Sequence, residues 1–172
     1  MSCRLSLAEL SRLPRDAFVA ELGSVFEHSP WVMEMAWQRR PFADRDELQA
    51  RLVETLAVAS REQQLALIRA HPELAGKAAV RGELTADSAR EQAGAGLDAC
   101  SPEEFAAIRE LNDAYREKFG WPFIVAVKGL GRQDIIAAMR RRLARTPDEE
   151  FAEALAQVAR IAGFRLDALI AG

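Results

Sequence analysis

The chain has 172 residues, 49% hydrophobic and 28% charged, with 23 Lys+Arg against 26 Asp+Glu and a net charge of −3. Such a balance gives no cationic field for a polyanion, and the one dense basic cluster, Arg140-Arg141-Arg142, stands in a mixed segment, so no nucleic-acid partner is expected. No stretch approaches the roughly 18 uncharged apolar residues of a membrane span, and Met1-Ser2-Cys3-Arg4-Leu5 lacks a secretory apolar run, so one soluble cytoplasmic domain over 1–172 is expected.

In chain order, apolar residues recur at three- and four-residue intervals, which predicts amphipathic helices over 14–26, 29–38, 46–59, 86–97 and 133–143. Three more open on capping signals: Ser60-Arg61-Glu62-Gln63, Ser101-Pro102-Glu103-Glu104 and Thr146-Pro147-Asp148-Glu149. In each, a hydroxyl can accept from an orphan amide three residues on, while Gln63, Glu104 or Glu149 reaches back. Phe105, Ile108, Leu111 and Tyr115 then form one stripe of the helix that follows Ser101. The fold class is all-α, a single-domain bundle of roughly eight helices. Phe123-Ile124-Val125-Ala126-Val127, between Trp121-Pro122 and Gly129, is a β-branched run that reads as a short extended segment or a helix. The least regular stretch, 70–85, holds His71-Pro72, Gly76 and Gly82 between two good helices, where a loop on rigid neighbours suits chemistry.

The two cysteines, Cys3 and Cys100, have no zinc-ligand spacing and read as free thiols. Of the two histidines, His28 sits at a helix junction before Ser29-Pro30 and reads as structural. His71 enters the Pro/Gly loop, and either caps a helix C-terminus electrostatically or carries proton transfer. Ser88, Glu91 and Gln92 stand at i, i+3 and i+4, so a hydroxyl, a carboxylate and an amide share one helical face among small residues. That face is either solvated or a site. Arg165, between Phe164 and Leu166, either snorkels or pairs with an anion. No Walker loop, GxGxxG, GxSxG or HExxH occurs, which leaves nucleotide, dinucleotide, serine-hydrolase and zincin readings without support.

Taken together, FEHSPW at 26–31, RPF at 40–42, HPELAGK at 71–77, SAREQAGAGL at 88–97 and LNDAYREKFGWPFIVAVKG at 111–129 resemble the OHCU (2-oxo-4-hydroxy-4-carboxy-5-ureidoimidazoline) decarboxylases of urate degradation. The resemblance implies an all-helical, cofactor-independent, homodimeric carboxy-lyase that converts OHCU to (S)-allantoin and carbon dioxide. It implies His71 as catalytic histidine and Glu91 as its acidic partner. Pro72, Ser88, Gln92 and Arg165 would contact substrate, and Phe123, Ile124, Val125, Ala126 and Val127 would hold it through backbone groups. Glu73 stands where many relatives carry Asp, and Trp121 where many carry Phe.

In that substrate the carboxylate and a hydroxyl share one ring carbon next to a C=N carbon, so the electron pair left by carbon dioxide has a sink within the molecule. No metal or other cofactor is expected. The protein would supply orientation and proton transfer, for which an imidazole of unperturbed pKa about 6.5 is suited. Two rival readings remain at this point: a non-catalytic helical interaction module, and a hydrolase in which Glu91 activates water against a ureido compound.

Overall fold

The computed structural model describes residues 4–171; Cys3 lies outside them. Among the described residues are ten α-helices: α1 (Leu7–Arg12), α2 (Arg15–Leu22), α3 (Trp31–Trp37), α4 (Arg45–Val58), α5 (Arg61–Ala70), α6 (Lys77–Val80), α7 (Ala86–Gly94), α8 (Pro102–Phe119), α9 (Arg132–Leu143) and α10 (Pro147–Leu169). Short 3-10 turns follow α2 and α7. No sheet occurs among them; one isolated parallel bridge joins Leu5 and Ile170. Among the described residues no helix is long and apolar enough to cross a membrane.

The three capping signals form as read. Ser60, Ser101 and Thr146 each accept from the amide three residues on, at 3.1, 3.1 and 3.3 Å, and the side chains of Gln63, Glu104 and Glu149 each accept from the cap amide at 3.0 Å. α1 was not expected, although Ser6 and Glu9 make a fourth box of the same kind. The single turn α6 arises inside the expected loop. The stripe of α8 is turned slightly from the predicted one: Ile108, Asn112, Tyr115 and Phe119 are buried, while Phe105 and Leu111 are only half-buried. An asparagine therefore occupies the core face. The free thiol of Cys100 is half-buried, and desolvation raises its pKa.

The chain divides into two compact units, residues 68–158 forming one and the flanking segments up to 67 and from 159 the other. In the flanking unit α2 packs on α3 and α3 on α4, which buries Phe18, Val32, Met33, Leu48 and Leu52 completely or nearly so. Burial of side chains this size stabilises the fold by about 1.5–3 kcal/mol each. In the 68–158 unit α8 packs on α9, and an aromatic row runs from Phe123 through Tyr115 and Phe119 to Trp121 and Phe151 with neighbouring centroids 4.5–5.7 Å apart. Gly120 lets that row change direction: its φ of +85° ends α8 in the left-handed region, where only glycine is unstrained.

Candidate active site

α5 stops at His71 because Pro72 has no amide to continue the ladder and pushes its predecessor out of helical geometry. The His71 amide closes the last turn onto Ile68 O at 3.2 Å, and the residue is buried, 7% exposed. The following turn is buried at Leu74 and Ala75, so its backbone groups need partners. Two side chains provide them. Gln92 Oε1 accepts from Ala75 N at 2.9 Å and Gln92 Nε2 donates to Glu73 O at 3.3 Å. From α8, Asn112 Nδ2 donates to Leu74 O at 2.9 Å, and Arg116 pairs with the Glu73 carboxylate. Ala75 is held at φ +49°, a conformation that costs an L-residue roughly 1–2 kcal/mol. Gly76 is required sterically, since a Cβ there would lie 2.8 Å from Glu73 Cβ.

Gln92 thus docks the helix face read from the sequence onto the loop that carries His71. Ser88, one turn before it on α7, is buried on the same face. Its amide donates to Thr85 Oγ1, the cap of the helix, at 3.3 Å. Glu91 is half-buried. In this unit the structure brings together the His71-Pro72 loop and the helix of Ser88, Glu91 and Gln92.

The 123–127 segment is neither helix nor strand. Arg142 Nη1 donates to Ile124 O at 2.6 Å, and Ala126 N donates to Gln157 Oε1 at 2.9 Å. Those two backbone groups are engaged by side chains, and Val127 O accepts from Leu130 N at 2.9 Å, so these three are already spent within the fold. Trp121 and Pro122, just before, line one cleft with His71.

In the flanking unit, Arg165 is 5% exposed. Its Nη2 donates to Glu27 Oε1 at 3.0 Å, and its Nη1 lies 3.3 and 3.4 Å from the carbonyls of Ser24 and Val25. Glu27 was not read as a partner from sequence. Beside it, His28 is exposed, holds φ +45°, and places Nε2 3.9 Å from Glu27 Oε2. Among the described residues no group of three or more His, Cys, Asp or Glu side chains is disposed to hold a metal ion.

Comparison with known proteins fits this geometry. The family model described as OHCU decarboxylase matches residues 11–167. A 2-oxo-4-hydroxy-4-carboxy-5-ureidoimidazoline decarboxylase from Haloferax volcanii is 44% identical over 162 residues, which cover 94% of each chain. The chain belongs to the OHCU decarboxylase family. The protein of the same name from Halalkalicoccus jeotgali is 42% identical over 96% of this chain and 92% of that one. In three dimensions the chain is similar to the crystal structure of an (S)-allantoin synthase, with a TM-score of 0.78, 28% identity, and coverage of 96% of this chain and 54% of that one.

Within an OHCU decarboxylase, two functional supports escaped sequence reading. Asn112 lay unremarked in the LNDAYREK block, though a polar residue at i+4 from Ile108 on a buried stripe was a usable signal. Arg142 was read as one of a basic trio. Only Arg140 and Arg141 of that trio are exposed; Arg142 is buried against the 123–127 segment.

Proposed function

We propose that this protein decarboxylates OHCU to (S)-allantoin with release of carbon dioxide in urate degradation, as a cytoplasmic homodimeric enzyme that needs no metal or organic cofactor and acts as one functional domain over 1–172. The observation that carries the reading is the clamping of the His71 loop by Gln92, from a helix that also presents Ser88 and Glu91, in a chain of this family.

The reaction needs three things from the chain. The bond from the ring carbon to the carboxylate must break while its electron pair forms a C=C bond with the ureido-bearing carbon and the C=N pair passes to nitrogen, which takes a proton from solvent. The hydroxyl on that ring carbon must lose its proton to become the carbonyl of allantoin. A proton must then reach one face of the ureido-bearing carbon, which sets the product's hand. His71, buried on a loop fixed by side-chain clamps, is the proton carrier, and Glu91 fixes its tautomer or receives the hydroxyl proton. Ser88, Pro72 and Gln92 line the ring and ureido group; Gln92 keeps one N–H of its amide for this after the loop has taken the other two bonds. The free backbone groups of 123–127 complete the cradle, and Arg165 matches the family's substrate-binding arginine. Desolvation favours loss of carbon dioxide because the localised charge of the carboxylate loses more on leaving water than the dispersed charge of the transition state.

Freshly generated OHCU supplies the test, followed by ultraviolet absorbance and circular dichroism. Faster decay with (S)-allantoin as the product supports the reading; decay at the spontaneous rate to racemic allantoin, or a product of the opposite hand, overturns it. His71→Asn should lower kcat by about 10²–10⁴-fold while leaving the melting curve in place, and Glu91→Gln should follow it closely. A near wild-type rate in His71→Asn would remove the acid–base assignment.

A further inference from the structure

Within residues 68–158 lies a cleft of about 880 Å³ that shares only His71 with the proposed catalytic set. Neither Ser88 nor Glu91 nor Gln92 lines it. Its walls come from the 69–81 stretch, α8 and the Gly120–Pro122 turn. Arg69, Lys77, Arg81 and Arg109 line it, all are exposed, and none forms an ion pair among the described residues. The only two carboxylates of the lining, Glu73 and Asp113, are both taken by Arg116. Four uncompensated cations therefore surround a concavity in a protein whose overall charge is negative.

A second observation concerns hydrogen bonding. Asn112 lines the same cleft and is 3% exposed. Its Nδ2 is spent on Leu74 O, but Oδ1 is buried with no partner. A buried acceptor left unmade is costly and calls for a donor. A ligand that satisfies both features is an anion carrying an N–H group.

We infer that this cleft captures the anionic, ureido-bearing substrate and delivers it to His71, the residue at which cleft and catalytic set meet. The inference rests on the proposed function, since it takes its ligand from that reaction. A cleft lined by one sign of charge concentrates an oppositely charged ligand and raises its rate of capture by about 10–10³-fold. Unpaired arginines distributed along a wall, with no carboxylate opposite them, suit transit better than a tight fixed grip. Asn112 would take the ureido N–H at the inner end, next to the loop that it also holds in place.

The test is steady-state kinetics on freshly generated OHCU with an Arg81→Glu/Arg109→Glu variant and its neutral counterpart, Arg81→Gln/Arg109→Gln. Neither residue belongs to the catalytic machinery, and both are exposed, so kcat and the melting curve should be retained. At an ionic strength of about 0.01 M, where screening reaches roughly 30 Å, kcat/KM should fall about tenfold in the reversed variant and by a smaller factor in the neutral one. Added salt should lower wild-type kcat/KM toward that of the variants and leave the reversed variant flat or rising. Equal kcat/KM in all three proteins at low salt, or a loss that resides in kcat, would overturn the capture site. If wild-type enzyme fails to accelerate OHCU decay at all, the functional reading fails instead; if it is active and its kcat/KM is insensitive to salt, only the capture site fails.

Discussion

Two arginines of this protein are buried to the same degree and each faces a buried glutamate, yet their surroundings differ. Arg142 is locked. Its Nε meets Glu150 Oε1 at 2.9 Å, its Nη1 meets Ile124 O at 2.6 Å, and its plane lies 4.3 Å over the Phe123 ring. Glu150 is in turn saturated by Tyr115 Oη at 2.7 Å and Arg145 Nη1 at 3.1 Å. The contacts of Arg165 include one bond of 3.0 Å to Glu27 and two of 3.3 and 3.4 Å to carbonyls, the latter two at the long edge of hydrogen bonding. Both pairs look structural by burial alone. Bond length separates their carbonyl contacts: Arg142 holds Ile124 O at 2.6 Å, whereas the contacts of Arg165 with Ser24 O and Val25 O are long enough for a better acceptor to displace.

The sharpest way to break this contrast is to remove the glutamate from the locked cluster. Glu150→Gln keeps the shape and leaves the Arg142 charge buried without its counter-ion, which should cost about 3–5 kcal/mol. For a chain of this size that is a fall in Tm of about 6–20 °C, read by a thermal melt. A Tm within 2 °C of wild type would mean that the cluster is no more committed than the Glu27 pair.

Arg165→Lys probes the other side. Lysine retains the charge but not the planar fork, so if Arg165 binds substrate in ground and transition states alike, KM should rise and kcat/KM should fall about tenfold to a hundredfold, or about 1.5–3 kcal/mol. The melting curve should move less than in Glu150→Gln. An unchanged kcat/KM with a lowered Tm would assign Arg165 to the same structural role as Arg142.

Within the locked cluster, Tyr115→Phe removes one bond to a carboxylate that keeps two other partners, so the cost should be about 1.5 kcal/mol. Burial, and then the bond to Glu150, raise the Tyr115 pKa well above its ordinary value. A folded pKa above the unfolded one means that the neutral phenol stabilises the fold fully below about pH 10, and that this stability is lost as pH rises past that value. Urea melts between neutral and alkaline pH should show the decline in wild type and a shallower one in Tyr115→Phe. Parallel slopes in the two proteins would place the alkaline sensitivity elsewhere.

What the sequence made legible follows from range. Capping boxes and the helical period depend on residues three or four apart, so the starts at Ser60, Ser101 and Thr146 could be read directly. The family blocks likewise named His71 and the α7 face. The clamps could not be read, because Gln92 reaches back 17 residues to Ala75 and Asn112 reaches 38 to Leu74, and nothing local marks such a pairing. The same holds for Arg142, whose sequence neighbours are exposed arginines, and for Glu27, 138 residues from Arg165. Polar residues on apolar stripes were the one available hint of these long-range partners.

The smallest expected effect comes from the residue beside the Arg165–Glu27 pair. His28 follows Glu27, sits in the left-handed region, and leaves its imidazole in solvent with Nε2 3.9 Å from the Glu27 carboxylate. A polar contact at that distance with one partner exposed is worth about 0–1 kcal/mol. Asparagine is the non-glycine residue that accepts a positive φ most readily, so His28→Asn keeps the turn while removing the imidazole. Stability should change by less than about 0.5 kcal/mol, and KM should stay at the wild-type value because the bond from Arg165 uses the other carboxylate oxygen, Oε1. Thermal melts and KM for OHCU, measured on the same preparations, check both. If KM rises in His28→Asn while the melt is unchanged, His28 holds Glu27 in the orientation that presents Arg165.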